Sequence, residues 1–105
     1  MERKIKLEEC KLLKCLLKDL KTHQYETEEL KVVEMLDGSM GSLYIVNPSK
    51  SREERKMGSS ILERQFYDID DTPISVSINI DTDGNLFELD IWRVDFNPII
   101  KFPSC

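Results

Sequence analysis

The feature that most constrains this sequence is a hairpin legible between Ile74 and Val94. Ile74, Val76, Ile78 and Ile80 alternate with Ser75, Ser77, Asn79 and Asp81, and further on Phe87, Leu89 and Ile91 alternate with Glu88, Asp90 and Trp92. Successive side chains of a strand point to opposite faces, so each run presents one apolar and one polar face. Asp83-Gly84 lies between them, and such a pair tolerates the positive φ of a tight type I′ turn. A two-residue loop there sets Ile80 opposite Phe87, Ile78 opposite Leu89 and Val76 opposite Ile91. On the other face it sets Asn79 opposite Glu88, Ser77 opposite Asp90 and Ser75 opposite Trp92. A slip of one residue would place apolar against polar along the whole ladder, so the register is strongly specified.

An apolar sheet face needs a cover. Leu13, Leu16, Leu17 and Leu20 fall at i, i+3, i+4 and i+7, which predicts an amphipathic helix from about Leu7 to Lys21. Glu8 and Glu9 in its first turn and Lys18 and Lys21 in its last oppose the helix dipole. The stripe of Lys11, Lys14, Lys18 and Lys21 reads as the solvated side of that helix. Leu30–Leu36 and Leu43–Val46 read as two strands joined by Asp37-Gly38-Ser39-Met40-Gly41-Ser42, and Ile61–Ile69 as a third. Ser51 and Glu54 have the spacing of a capping box before a short turn that Gly58 is expected to end. Asp70-Asp71-Thr72-Pro73 is a turn cluster, and Thr22–Glu29 a polar loop that carries the sole histidine, His23. The proline-punctuated tail, Asn97–Pro103, is expected to lie extended against the core. The expectation is an α+β fold, with an N-terminal amphipathic helix packed on one face of an antiparallel sheet of about five strands, in a single domain over residues 1–105.

Composition limits what such a domain does. A formal net charge of −5 argues against nucleic acid, whose phosphates select cationic proteins, and leaves open a basic protein as partner. No apolar run approaches the roughly 20 residues that span a bilayer, and Lys11, Lys14 and Lys18 interrupt the apolar core a signal peptide needs. No membrane association and a cytoplasmic location are therefore expected. The three cysteines, Cys10, Cys15 and Cys105, show no metal-ligand spacing and are expected as reduced thiols.

Chemistry-bearing constellations are sparse. Asp81-x-Asp83-Gly84-Asn85 with Glu88 has a faint likeness to a calcium loop, but the spacing to the glutamate is too short for an EF-hand. Asp68, Asp70 and Asp71 could gather a cation, although a solvated turn accounts for them. Gly38–Ser42 lacks the lysine and the following helix of a phosphate loop. No cysteine or serine stands beside an evident base, so neither an enzyme nor a cofactor or metal is expected. What remains is the polar hairpin face: Ser77, Asn79, Glu88, Asp90 and Trp92 are the expected partner-binding residues. Exposed tryptophan favours binding hot spots, and neighbouring carboxylates favour a Lys- or Arg-bearing partner. The competing reading has the tail or the loop before Leu30 fold over Trp92 and bury it.

Two stretches carry a family resemblance: Asp37-Gly38-Ser39-Met40-Gly41-Ser42-Leu43, and Leu86-Phe87-Glu88-Leu89-Asp90-Ile91-Trp92-Arg93-Val94-Asp95-Phe96. Through them the chain resembles a family of small bacterial proteins of unknown function, over nearly its whole length. In size, charge and architecture it is also similar to the small α+β immunity proteins that neutralise toxins. The resemblance implies no activity. The functional expectation is a non-catalytic protein-binding domain, an immunity-type inhibitor masking a basic partner such as a toxin. The alternative is a structural homo-oligomer, a homodimer included, formed through open faces or edge strands.

Overall fold

The computed structural model describes residues 1–20, 25–36 and 38–105. In chain order the elements are β1 (Glu2–Lys4), α1 (Leu7–Leu17), β2 (Lys31–Glu34), β3 (Leu43–Ile45), a 3-10 turn (Arg52–Glu54), β4 (Met57–Tyr67), β5 (Pro73–Asp81) and β6 (Leu86–Arg93). The six strands form one sheet in the order β1-β2-β3-β6-β5-β4, antiparallel throughout. The strand unforeseen in the sequence is β1. Its residues, Glu2-Arg3-Lys4, carry no β signal, and they are placed by pairing with Lys31–Val33 and by Arg3, which forks onto Glu9 of α1 at 2.9 and 2.8 Å.

Helix α1 lies across one face of the sheet. Its Leu12, Leu13 and Leu16 are at most 1% exposed and share one apolar cluster with Val32, Leu43, Ile74, Val76, Ile78, Leu89 and Ile91. Burying each such side chain contributes about 1.5–3 kcal/mol, so this cluster is the principal stabiliser of the fold. Glu9 caps the helix by accepting the Lys6 N–H at 2.8 Å. The helix ends at Leu17, earlier than the leucine spacing suggests. Asp19 would set a carboxylate against the negative end of the dipole, and Leu20 instead donates its N–H to the Leu17 carbonyl at 3.0 Å. Lys21 and His23 lie outside the described residues. Lys11, Lys14 and Lys18 are exposed, as a solvated face requires.

The β5–β6 register matches expectation at Ile78–Leu89, Val76–Ile91, Asn79–Glu88, Ser77–Asp90 and Ser75–Trp92, but Ile80 opposes Leu86 instead of Phe87. Two irregularities cancel. The loop has three residues, Thr82–Gly84, of which only Gly84 has positive φ (86°), and it closes through Gly84 N–H to Asp81 O and Asp81 N–H to Asn85 O. That shifts the pairing by one, and a bulge at Phe87 shifts it back. The bulge sends Phe87 beneath the guanidinium of Arg55, 4.8 Å from the ring centroid, and edge-on to Tyr44 at 5.7 Å.

Arg55 is buried, and the side chains of both Arg55 and Asp81 are essentially inaccessible. Its nitrogens donate to Asp81 Oδ2 (2.9 Å), Tyr44 Oη (3.1 Å), Ile45 O (2.6 Å) and Leu86 O (2.5 Å). Asp81 uses its other oxygen for the N–H groups of Asp83 and Asn85. Gly58 does not end the preceding turn but lies inside β4, where its missing β-carbon lets the strand approach Asp81; an added one would stand 2.6 Å from the Asp81 carbonyl. Replacing Arg55 by Met should leave Asp81 as an unpaired buried charge and cost about 3–5 kcal/mol, read in urea denaturation, with partial recovery in Arg55→Met/Asp81→Asn.

Candidate functional site

The sheet face away from α1 stays open over β5 and β6. Trp92 is 45% exposed there, covered by neither the tail nor the described part of the loop before Leu30. Its only described aromatic neighbour is Phe96, with ring centroids 5.6 Å apart and planes at 47°. The chain turns back after β6 to make that contact: Phe96 has φ of 63° and its N–H reaches the Arg93 carbonyl at 3.0 Å. Phe96 is itself 69% exposed, so the two rings form an apolar ledge in contact with solvent. Sequence reasoning included Phe96 in a motif without placing it on this face, because strand alternation ends at Arg93 and a left-handed turn carries no periodicity.

Beside the ledge stand two carboxylates. Asn79 donates its side-chain amide to Asp90 Oδ2 at 2.8 Å and, more weakly, to Glu88 Oε1 at 3.5 Å. Burial, and then the charge of Asp90, push the Glu88 carboxyl above the usual range, and the Asn79 amide only partly offsets them. Asn79 is 5% exposed, so it acts by fixing the carboxylates. Ser77 is half-buried between Asp90 and Glu63, its cross-strand neighbours. The five expected residues therefore do come together, in adjacent rows of one face. A groove of about 1040 Å³ runs along it, lined by Glu34, Glu63, Asp90 and Arg52 and, on its apolar parts, by Met1, Met35, Leu36, Met40, Trp92 and Phe96. Arg52 lies over the Tyr44 ring at 4.6 Å and is a cation whose charge lowers the Glu88 carboxyl, so a basic side chain borders the two carboxylates.

Of the other carboxylates considered as cation ligands, Asp68, Asp70, Asp81 and Asp83 are otherwise engaged, and Asp71 is exposed. Arg93 occupies the Asp68–Asp70 turn: its guanidinium meets Asp68 at 2.8 Å, Asp70 at 2.5 Å and Asp95 at 2.8 Å. Asp68 also accepts the N–H groups of Ile69, Ile100 and Lys101, which anchors the tail. In the Asp81 turn one carboxylate holds Arg55 while Asp83 pairs with Lys50 at 2.6 Å. Among the described residues no three His, Cys, Asp or Glu side chains are grouped to hold a metal ion. In the Gly38–Ser42 loop, the Ser42 hydroxyl accepts the Ile91 N–H at 2.8 Å and donates to the Ile91 carbonyl at 3.0 Å, extending the β3–β6 ladder with a side chain.

The expectation of reduced thiols is corrected. Cys15 and Cys105 are joined as a disulfide across a sequence separation of 90, with Cα atoms 6.4 Å apart, while Cys10 is a buried free thiol in the core. Spacing along the chain could not show this, because the pair is brought together by the tail crossing back over the helix side of the sheet.

Residues 2–103 match the family model described as Domain of unknown function (DUF6984). The chain belongs to that family. The matched span of this DUF6984 chain holds both sequence stretches read as a family signature, the ledge of Trp92 and Phe96, and the Asn79-fixed carboxylates. No curated protein and no solved structure matches the chain.

Two outcomes follow. Trp92, the sole tryptophan, should emit at long wavelength and be readily quenched by iodide in the free protein, whereas a blue-shifted, protected signal would show a covered face. For the Arg93 cluster, burial disfavours the Asp68 charge, yet the Ile100, Ile69 and Lys101 amides and Arg93 hold its carboxyl at about 2. A depressed carboxylate stabilises fully above its unfolded value near 4 and loses that contribution as pH falls toward 2. Thermal melts should therefore show stability dropping between about pH 4 and pH 2, with a shallower slope in Asp68→Asn.

Proposed function

We propose that this chain is a non-catalytic protein-binding domain that seats a basic segment of a partner protein on the open face of β5 and β6. The observation that carries the reading is the juxtaposition of an exposed Trp92–Phe96 ledge with Asp90 and Glu88, fixed from beneath by Asn79. A soluble protein normally scatters its exposed large apolar groups, and concentrated ones mark interaction surfaces. A partner lysine or arginine laid across the rings would gain both cation–π attraction and a carboxylate, and Glu88, disfavoured as an anion beside Asp90, would gain a counter-charge.

In this reading the domain works in the cytoplasm as an immunity-type inhibitor, covering a basic functional site of its partner, for which a toxin is the fitting class. No helix among the described residues is long and apolar enough to cross a membrane. Against the homo-oligomer alternative weigh the two register shifts in edge strand β4, since bulges twist an edge away from further pairing.

The test is affinity capture with the wild-type chain and with Glu88→Lys/Asp90→Lys/Trp92→Ala, both shown to be folded by circular dichroism. The expected result is a protein retained by the wild type, cross-linked to the β5–β6 face and weakened at least about 100-fold in the triple variant, as loss of a hot spot demands. Equal retention by both chains, or none by either, would overturn the reading.

A further inference from the structure

The Cys15–Cys105 bond sits in a setting unlike that of a buried structural cross-link. Cys105 is exposed and Cys15 partly so, whereas Cys10, the remaining thiol, is sealed in the core. Arg64 of β4 reaches both sulfurs, with Nη1 3.6 Å from Cys105 Sγ and 3.9 Å from Cys15 Sγ. A cation at that distance favours the thiolate, which is the species that attacks a disulfide. The bond also ties down the end of a segment whose other anchors lie upstream: the Ile100 and Lys101 N–H groups on Asp68, and Phe102, which packs against Gly41.

We propose that Cys15 and Cys105 are a site of reversible redox modification, a clasp that opens and closes by thiol–disulfide exchange with a small-molecule disulfide of the glutathione type. Closing proceeds in two balanced steps. One protein thiolate attacks glutathione disulfide, forming a mixed disulfide and releasing one glutathione thiolate. The second protein thiolate then attacks the protein sulfur of the mixed disulfide, releasing the second glutathione, so that two protein thiols are oxidised and one glutathione disulfide is reduced to two thiols. Opening is the reverse. A transient bond of this kind accords with a reducing compartment, where persistent disulfides are rare and those that form are mostly sensing or catalytic. With the clasp open, the tail beyond Lys101 is left to Phe102, packed against the core, and buried Pro103, and the cross-link that restrains the unfolded chain is lost.

The experiment equilibrates the native full-length chain across ratios of reduced to oxidised glutathione, quenches by alkylation, and follows masses and amide exchange together. The expected result is one two-electron transition involving Cys15 and Cys105 alone, with Cys10 unalkylated in native protein throughout. Amides of Phe102, Ser104 and Cys105 should exchange at least about 10-fold faster in the reduced chain, and its melting temperature should fall by on the order of 10 °C. Arg64→Gln should slow exchange with glutathione disulfide several-fold while leaving the fold unchanged. The proposal is overturned if both thiols stay free at every ratio, if the bond survives excess reduced glutathione as a permanent cross-link, or if tail exchange is the same in both states. Cys15→Ser supplies the check on cause: its tail should exchange at the reduced rate whatever the glutathione ratio, and a slow tail in that variant would equally refute the clasp.

Discussion

The buried guanidinium of Arg55 is the interaction on which the rest of this structure depends. It closes hydrogen bonds to Asp81, to the Ile45 and Leu86 carbonyls and to the Tyr44 hydroxyl, so one side chain ties the hairpin turn to β3, β6 and the start of β4. A charge so enclosed is tolerated only when all of its partners are present, because desolvation would otherwise exceed the Coulombic gain. The flat face of the same group lies over Phe87, which explains why the ladder bulges there: the ring leaves its regular place to cover the cation. Once the bulge has restored the register, Asn79, Glu88 and Asp90 stand in line on the open face. Alternation puts those side chains on one face, and the bulge over which Arg55 lies keeps them in register.

The second arginine, Arg93, does for the opposite end of the hairpin what Arg55 does for the turn. It gathers Asp68, Asp70 and Asp95, and Asp68 in turn receives the tail amides. A cluster that suggests a cation site in the sequence is one, but the cation is part of the chain. The segment anchored there runs on to Phe102 and the Cys15–Cys105 bond on the helix side, while Val94–Phe96 turns to the open side and brings Phe96 onto Trp92. Arg93 therefore stabilises the geometry of both the docking ledge and the tail.

Much of the candidate site was legible because strand alternation is a strict period. Reading every second residue from Ser75 to Asn79 and from Glu88 to Trp92 places these side chains on one face, and five of the six expected pairs are observed. The sixth, Ile80–Phe87, fails because a three-residue turn and a bulge each shift the register by one, and nothing local marks a bulge. Phe96, Arg52 and Glu63 join the face through a left-handed turn, a 3-10 turn and an edge strand. Their positions depend on partners distant in sequence.

By itself the sequence determined the elements whose cause is local: the leucine stripe of α1, the alternation of β5 and β6, the capping pair Ser51–Glu54 and the glycine-bearing reversals. It likewise determined which hairpin face is apolar and must meet the helix. Only the tertiary structure decided that Glu2–Lys4 is a strand, that Arg55 pairs with Asp81 and Arg93 with Asp68 and Asp70, that Cys15 and Cys105 meet, and that Trp92 remains exposed. The division has one physical reason. Periodicity and turn chemistry act over a few residues, whereas burying a charge, closing a sheet edge or pairing two sulfurs requires groups tens of residues apart, whose encounter is set by the packing of the whole chain.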